Sequence, residues 1–347
     1  MIMHAANRIL RGSAIAAAIL SLALVQARAG TLYVSNFGNN TVTAYDVTTG
    51  VYLGTPVTAG AEANGFTGIQ VRPDGSFLVG AQLTNNVVRY SSNGTFLGIL
   101  DPANTALLNS PQGLTFGPDG NLYVASSAND QILRYDPVTG DFLNIFASLG
   151  GAGHLGPIDL TFGPDGNLYV TAFDNGMIVR VNGLTGAIME TKPGPPGFGL
   201  AAAAFGPDGN LYVEGVDLNT FGGNIYRYEI QTNALSLFIP EGSGGLQSPG
   251  GFAFGSNGRL LLANLVLDQN FNDVGTTILS YNGQTGGSIG TLVGTGKGLN
   301  IPFFMTVVVP EPSGLALCGI GLILLLLYTT VRKPVRRRNR AGDLMFF

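Results

Sequence analysis

The octapeptide Gly-Pro-Asp-Gly-Asn-Leu-Tyr-Val occurs three times, at 117–124, 163–170 and 206–213. The glycine that closes its turn has equivalents at Gly75 and Gly258, and the five fall 43 to 49 residues apart. One further interval back stands Gly30, which opens Gly30-Thr31-Leu32-Tyr33-Val34. Six copies of one unit constrain the fold more than any other feature of the chain. A unit this small cannot bury its own apolar face, so the copies must pack against one another.

Each unit reads as four short strands. In the unit from Gly113 they are Gly113–Phe116, Asn121–Ser126, Gln131–Tyr135 and Asp141–Phe146. Between the first two, Pro118 presets φ, Asp119 offers a capping carboxylate and Gly120 accepts a positive φ. Ser127–Asp130 and Asp136–Gly140 make the other turns. Four strands per repeat of this length is the pattern of a β-propeller. Strands lying between neighbouring blades read as apolar runs. The expected fold is all-β, a six-bladed β-propeller over 30–309. A two-sheet sandwich also holds many short strands, but does not need sixfold self-similarity. The first unit lacks an opening strand, and Met305–Pro310, aligned with Gly113–Pro118, supplies its match after the last unit. That C-terminal strand would close the ring and hide two sheet edges.

The recurring Leu-x-Phe-Gly-Pro-Asp-Gly-Asn-Leu-Tyr-Val, with Arg-Tyr-x-x-x-Thr-Gly downstream as at Arg134–Gly140, resembles NHL-type repeats. It also resembles the six-bladed gluconolactonase- and regucalcin-like propellers, and the likeness spans the whole middle of the chain. It implies that ligands meet the face formed by loops before the first strand and between the second and third. Those loops are long at Lys192–Gly199, Gly215–Asn224, Glu241–Gly250 and Leu265–Thr276.

The two ends differ from the middle. Arg8 and Arg11 precede the apolar run Ala14–Val25, and Ala27-Arg28-Ala29 supplies a small-x-small cleavage pattern. Residues 1–29 therefore read as a secretory signal peptide. Gly314–Val331 holds 18 residues without a charge, and six basic residues follow between Arg332 and Arg340. A helix over 314–331 would cross a bilayer core, with the basic tail 332–340 held on the cytoplasmic side. Pro310-Glu311-Pro312, that transmembrane helix and that tail together resemble the PEP-CTERM sorting signal of Gram-negative bacteria, over 310–340. The resemblance implies an exosortase as partner, processing at Pro310, Glu311 and Pro312, and membrane anchoring until the tail is removed. It further implies a place at the cell surface or in the matrix, linked to exopolysaccharide.

Between those ends the chain is acidic. Residues 30–309 hold eight Lys and Arg against 19 Asp and Glu. That balance speaks against nucleic acid as a partner. The single Cys, Cys318, lies in the C-terminal apolar run, which removes disulfides and thiol catalysis from 30–309.

Few residues suggest chemistry. Resemblance to the gluconolactonase-like family implies a divalent cation held by Glu, Asn and Asp near the channel mouth, activating water. The Asn/Asp positions fall here on Thr67, Gln112, Ile158, Ala201 and Gly250, with Asp159 one residue on. Gln112 alone among them bears a side-chain carbonyl, and Gly30–Val34 offers no acid for the Glu. Glu214 follows Leu-Tyr-Val where other units have Ser35, Gly80, Ala125, Thr171 and Ala263. A carboxylate among small residues can be a base or ligand. With no second carboxylate at matching spacing, a solvated strand-end acid is the expectation. Gln112, Asp159 and Glu214 are the candidates on the ligand face. As catalytic groups, only Glu214, Asp159 and His154 come into question. His154 stands in a Gly-rich loop without an identifiable partner and reads as a surface residue, although virginiamycin-lyase-type propellers use His with Glu. Asp268, Asn270 and Asn272 alternate like the oxygen ligands of a Ca2+ loop. Asp273 replaces its turn glycine, however, and Leu279 its bidentate Glu. Arg89, Arg134, Arg180 and Arg227 recur at one place in the third strand and are expected to pair with Asp74, Asp119, Asp165 and Asp208. The expected function is binding or scaffolding of polysaccharide or a surface protein. The alternative is a metal-dependent lactonase-like hydrolase, or a lyase, on the long-loop face.

Overall fold

A computed structural model describes residues 30–102, 107–150, 155–266 and 274–309. The expected signal peptide, the sorting signal, His154 and the Asp268–Asn272 loop lie outside the described residues. The described chain forms six four-stranded antiparallel sheets. Blades two to six each use four consecutive strands, opening at Phe66–Val71, Pro111–Phe116, Pro157–Phe162, Phe198–Phe205 and Ser248–Phe254. Blade one takes Thr31–Asn36, Thr41–Asp46 and Tyr52–Thr58, and its inner strand is Pro302–Val308 from the far end of the chain. That strand pairs antiparallel with Thr31–Asn36, from Thr31 opposite Val308 to Ser35 opposite Phe304. The inner strands touch in a closed cycle. The fold is an all-β six-bladed propeller.

Five letters of the repeated octapeptide, Gly117, Asp119, Gly120, Asn121 and Tyr123, have tasks the structure shows. Gly117 lies so close to the Tyr123 ring that a Cβ would come within 2.4 Å of it. Gly120 has φ of 79°, which Gly adopts without strain. The Asp119 carboxylate accepts the Asn121 backbone N–H at 3.1 Å, the Asn121 amide at 2.7 Å and the Tyr123 hydroxyl at 3.1 Å. Burial pushes the Asp119 pKa up, but these bonds and the Arg134 charge prevail and hold it below the usual carboxylate range. Asp165 and Asp208 repeat the arrangement. The tyrosine then ties its blade to the next. Tyr123 packs edge-on against Phe146 of its own blade and Phe162 of blade four, at 4.9 and 5.0 Å between ring centres. The core is thus divided among the blade interfaces. One layer joins Ala125 and Ile132 of blade three to Leu160, Leu168 and Val170 of blade four. Each of the Ile, Leu and Val side chains contributes about 1.5–3 kcal/mol by leaving water.

Two expectations need correction. Of the four recurring arginines, Arg134 meets Asp119 at 3.5 Å and Arg180 meets Asp165 at 2.6 Å. Arg227 instead pairs with Glu229, two residues along its own strand, and Arg89 donates to the Val138 carbonyl at 3.3 Å. Asp74 is met by Arg72, its neighbour at the turn, at 3.9 Å. The stretch Gly215–Asn224, expected as a long loop, is half strand, with a turn only over 218–222. Pairing continues to Phe198 opposite Asp217 and Val216 opposite Gly223. Asp217 closes the hairpin by accepting the Asn219 and Thr220 N–H groups at 2.7 and 3.1 Å.

Candidate functional site

The six inner strands surround a channel. One equivalent position in each forms a layer across the ring: Gly68, Gly113, Asp159, Ala202, Gly251 and Phe304. The glycines there are a packing requirement. A Cβ on Gly68 would stand 2.3 Å from the Gln112 carbonyl oxygen, and one on Gly113 would stand 2.4 Å from Asp159 Oδ1. Phe304 is the bulky member of the layer and lines the cavities on both sides of it. The cavity on the side of the Gly-Pro-Asp-Gly turns has a volume of about 330 Å3 and includes Asp159, Thr161 and Gln70. The cavity on the long-loop side measures about 300 Å3 and includes Glu214, Gln112 and Gln82 among Phe173, Val216 and Phe303.

Polar side chains around the channel join one blade to the next. Ser35 Oγ donates to the Thr67 carbonyl at 2.5 Å, and Thr67 Oγ1 donates to the Pro111 carbonyl at 2.8 Å. Thr171 Oγ1 donates to the Ala201 carbonyl. Asp159 accepts Leu160 N–H through Oδ1 at 2.8 Å and, across the blade boundary, Ala203 N–H through Oδ2 at 2.9 Å. Glu214 Oε2 accepts Gly251 N–H of blade six at 3.0 Å, and the Ala202 N–H also bonds its carboxylate. Serine, threonine, aspartate and glutamate thus serve one purpose at related places. Their scatter in residue type hid that purpose in the sequence.

Glu214 is only 2 % exposed, so the expected solvated acid is a buried one. The strand continues past it as Gly215, Val216 and Asp217, which carries it into the sheet. Burial pushes its pKa up to about 7, against the lowering effect of the Gly251 and Ala202 N–H groups. Asp159, 8 % exposed, is likewise raised to about 7. There burial leads, the Ala203 and Leu160 N–H groups oppose it, and the charge of Glu214 adds to it. The two carboxyls therefore sense one another, although they line different cavities. Gln112, 3 % exposed, has a buried amide oxygen without a hydrogen-bond partner.

These groups do not make a divalent-cation site of the gluconolactonase kind. Such a cation takes six or more oxygens, whereas among the described residues the long-loop cavity offers one carboxylate, already bonded by two N–H groups, and two side-chain amides. Thr67, also among the expected positions, is engaged with Pro111. Among the described residues no group of three or more His, Cys, Asp and Glu is placed to hold a metal.

No family model matches the chain, and no curated protein sequence matches it. Solved structures share its architecture. A protein of unknown function from Bacteroides caccae has a TM-score of 0.63 at 14% identity, over 81% of this chain and 99% of that one. The periplasmic gluconolactonase of Pseudomonas aeruginosa has a TM-score of 0.52 at 16% identity, over 81% and 99%. A catalytically inactive virginiamycin B lyase from Staphylococcus aureus, solved with quinupristin, has a TM-score of 0.52 at 18% identity, over 74% and 86%. Likeness at these identities establishes the propeller, which hosts many activities.

Proposed function

We propose that this chain is an exported propeller that binds or scaffolds and does not transform its ligand. On this reading an exosortase removes its C-terminal tail. The protein then resides at the cell surface or in the matrix of a Gram-negative bacterium, with exopolysaccharide or a surface protein as partner. The supporting observation is how the polar groups of the channel are engaged. Ser35, Thr67, Asp159, Thr171 and Glu214 each hold the backbone of a neighbouring blade. Such groups make a rigid ring, whereas a general base must reach its substrate. The closing strand ends at Val308, opposite Thr31 and on the side of the Gly-Pro-Asp-Gly turns, so the long loops lie on the other side.

The test is replacement of Pro310, Glu311 and Pro312 by alanine in the full chain, followed by fractionation of cells and matrix. A shortened wild-type protein in the matrix and a full-length, membrane-retained variant are expected. A wild-type protein that stays in the cytoplasm overturns the reading.

A hydrolase or lyase working from the long-loop face is the second reading. The favouring observation is Glu214 in the long-loop cavity, its pKa raised by burial to about 7, where general acids and bases work well. Lactone hydrolysis or lyase turnover that is lost in Glu214→Gln would favour it over binding.

A further inference from the structure

The outermost strands of the blades are Tyr52–Thr58, Phe96–Ile99, Phe142–Ser148, Ile188–Pro193, Ala234–Ile239 and Ser288–Val293. Each is the last of its sheet. Each also turns a large apolar side chain to solvent: Leu53, Leu97, Leu143, Met189, Leu237 and Ile289 are 43 to 55 % exposed. A single exposed leucine is ordinary, but a belt that recurs on all six blades marks an interaction surface. Exposed sheet edges are commonly guarded by charges, above all by lysine. Five of these six strands carry no charge; only Ile188–Pro193 does, with Glu190 and Lys192. Both bond to Asn233 of blade five.

The charge distribution indicates what covers the belt. Residues 30–309 hold eight Lys and Arg against 19 Asp and Glu, so two copies repel one another in most orientations. The rim is the exception. Beneath the outer strands, Arg134, Arg180 and Arg227 stand opposite Asn144, Glu190 and Ser236, and each is paired with an acid. A charged polymer finds little to pair with there, whereas an identical apolar rim meets no penalty. Every outer strand is bulged against its neighbour. Bulges blunt an edge against strand addition, which leaves the contact to the side chains. One blade offers far less surface than a permanent dimer buries, so each contact is weak, and several around one ring add up.

We infer that copies of this chain associate rim to rim through the apolar side chains of their outer strands, forming a lateral array. The inference deepens the scaffold reading by naming a second copy as a partner.

Cross-linking in cells that express the full chain tests it. With Cys318→Ala, introduced cysteines are the only thiols. Thr95→Cys and Asp141→Cys, both exposed, place thiols beside the outer strands of blades two and three. A membrane-permeant bismaleimide should then yield dimers and larger species. Leu218→Cys, exposed on the long-loop face, should yield none. Adding Leu97→Lys and Leu143→Lys, together or singly, should lower the dimer yield about tenfold, as loss of a buried leucine contact does. No dimer from the rim thiols, an equal yield from Leu218→Cys, a yield that the lysines leave unchanged, or capture of a different protein overturns the inference. The reagent acts in every compartment, so loss of rim cross-links and failure of delivery to the matrix are read apart.

Discussion

Glu214→Gln tests whether the buried carboxylates limit stability as their surroundings demand. In the folded ring the Glu214 pKa stands at about 7, against 4.5 for a free glutamate. A folded-state pKa above the unfolded one means that the folded state holds the proton more tightly. Its stabilising effect is complete below about pH 4.5 and is lost as pH rises through 7. The difference corresponds to about 3 kcal/mol, at about 1.4 kcal/mol per tenfold change in proton affinity. Glutamine keeps an oxygen for the Gly251 N–H and cannot ionise. At pH 8 the variant should be more stable than the wild type by about 3 kcal/mol, or about 5 °C in melting temperature for a domain of this size. At pH 5 the gap should shrink to about 1 kcal/mol. Asp159 adds a loss in the same direction, so the wild-type melting temperature should fall from pH 5 to pH 8, more steeply than that of the variant. The turn aspartates, whose pKa values are lowered, act in the opposite sense, below pH 4. Thermal melts followed by circular dichroism at half-unit steps suffice. A wild-type curve that is flat across this range, or one with the same slope in Glu214→Gln, refutes the reasoning.

Other outcomes follow from the packing. Gly113→Ala should destabilise the ring by several kcal/mol, because its methyl group collides with Asp159 Oδ1 and the Asp159 Cα at 2.4 and 2.8 Å; calorimetric melting measures this, and a change under about 1 kcal/mol counts against the tight inner layer. Asp119→Ala should cost about 1–3 kcal/mol by leaving the Tyr123 hydroxyl and the Asn121 groups unmatched, and urea unfolding reads it. Ending the chain before Pro302 removes the strand that pairs with Thr31–Asn36, and chromatography should then report aggregation through the exposed edge.

How much was legible in advance follows from which features repeat. Turn chemistry and apolar strands recur in every unit, so blade number, strand order and the closing strand could be read from spacing alone. The arginines recur as well, yet only two keep the expected partner. A flexible side chain takes the nearest oxygen, and Glu229 lies two residues from Arg227 on the same face of the strand. The channel polar groups were hardest to read. At the place where Glu214 stands, the other blades carry Ser35, Gly80, Ala125, Thr171 and Ala263, and nothing in one unit announces which backbone group of the next blade will need a partner. The extension of blade five through Asp217 was missed because Gly215, Gly222 and Gly223 signal loop in one dimension. In the sheet, Gly215 and Gly223 sit where neighbouring rings and prolines leave no room for a side chain.

The ring closes without a covalent bond, so its weakest place should be where the first and last described strands meet, and Ser35 sits there. Its hydroxyl, on the first strand of the chain, donates to the Thr67 carbonyl of blade two at 2.5 Å and accepts the Phe304 N–H of the closing strand at 3.2 Å. One side chain therefore joins the first and last described strands and the neighbouring blade. Ser35→Ala would leave a buried carbonyl and a buried N–H unmatched, at about 1–3 kcal/mol, within a strand pair on which the whole circle depends. Thr171→Ala removes a comparable bond between blades four and five, where the chain is continuous. The two losses should be alike at equilibrium, but hydrogen exchange should distinguish them. Ser35→Ala should speed exchange across both Thr31–Asn36 and Pro302–Val308, because opening that seam frees two strands at once. Thr171→Ala should act only on its own blade and the next. Equal and local effects from both variants would mean that the seam is no weaker than any other joint, and that the apolar layer of Leu32, Val34, Ala263 and Met305 suffices to close the ring.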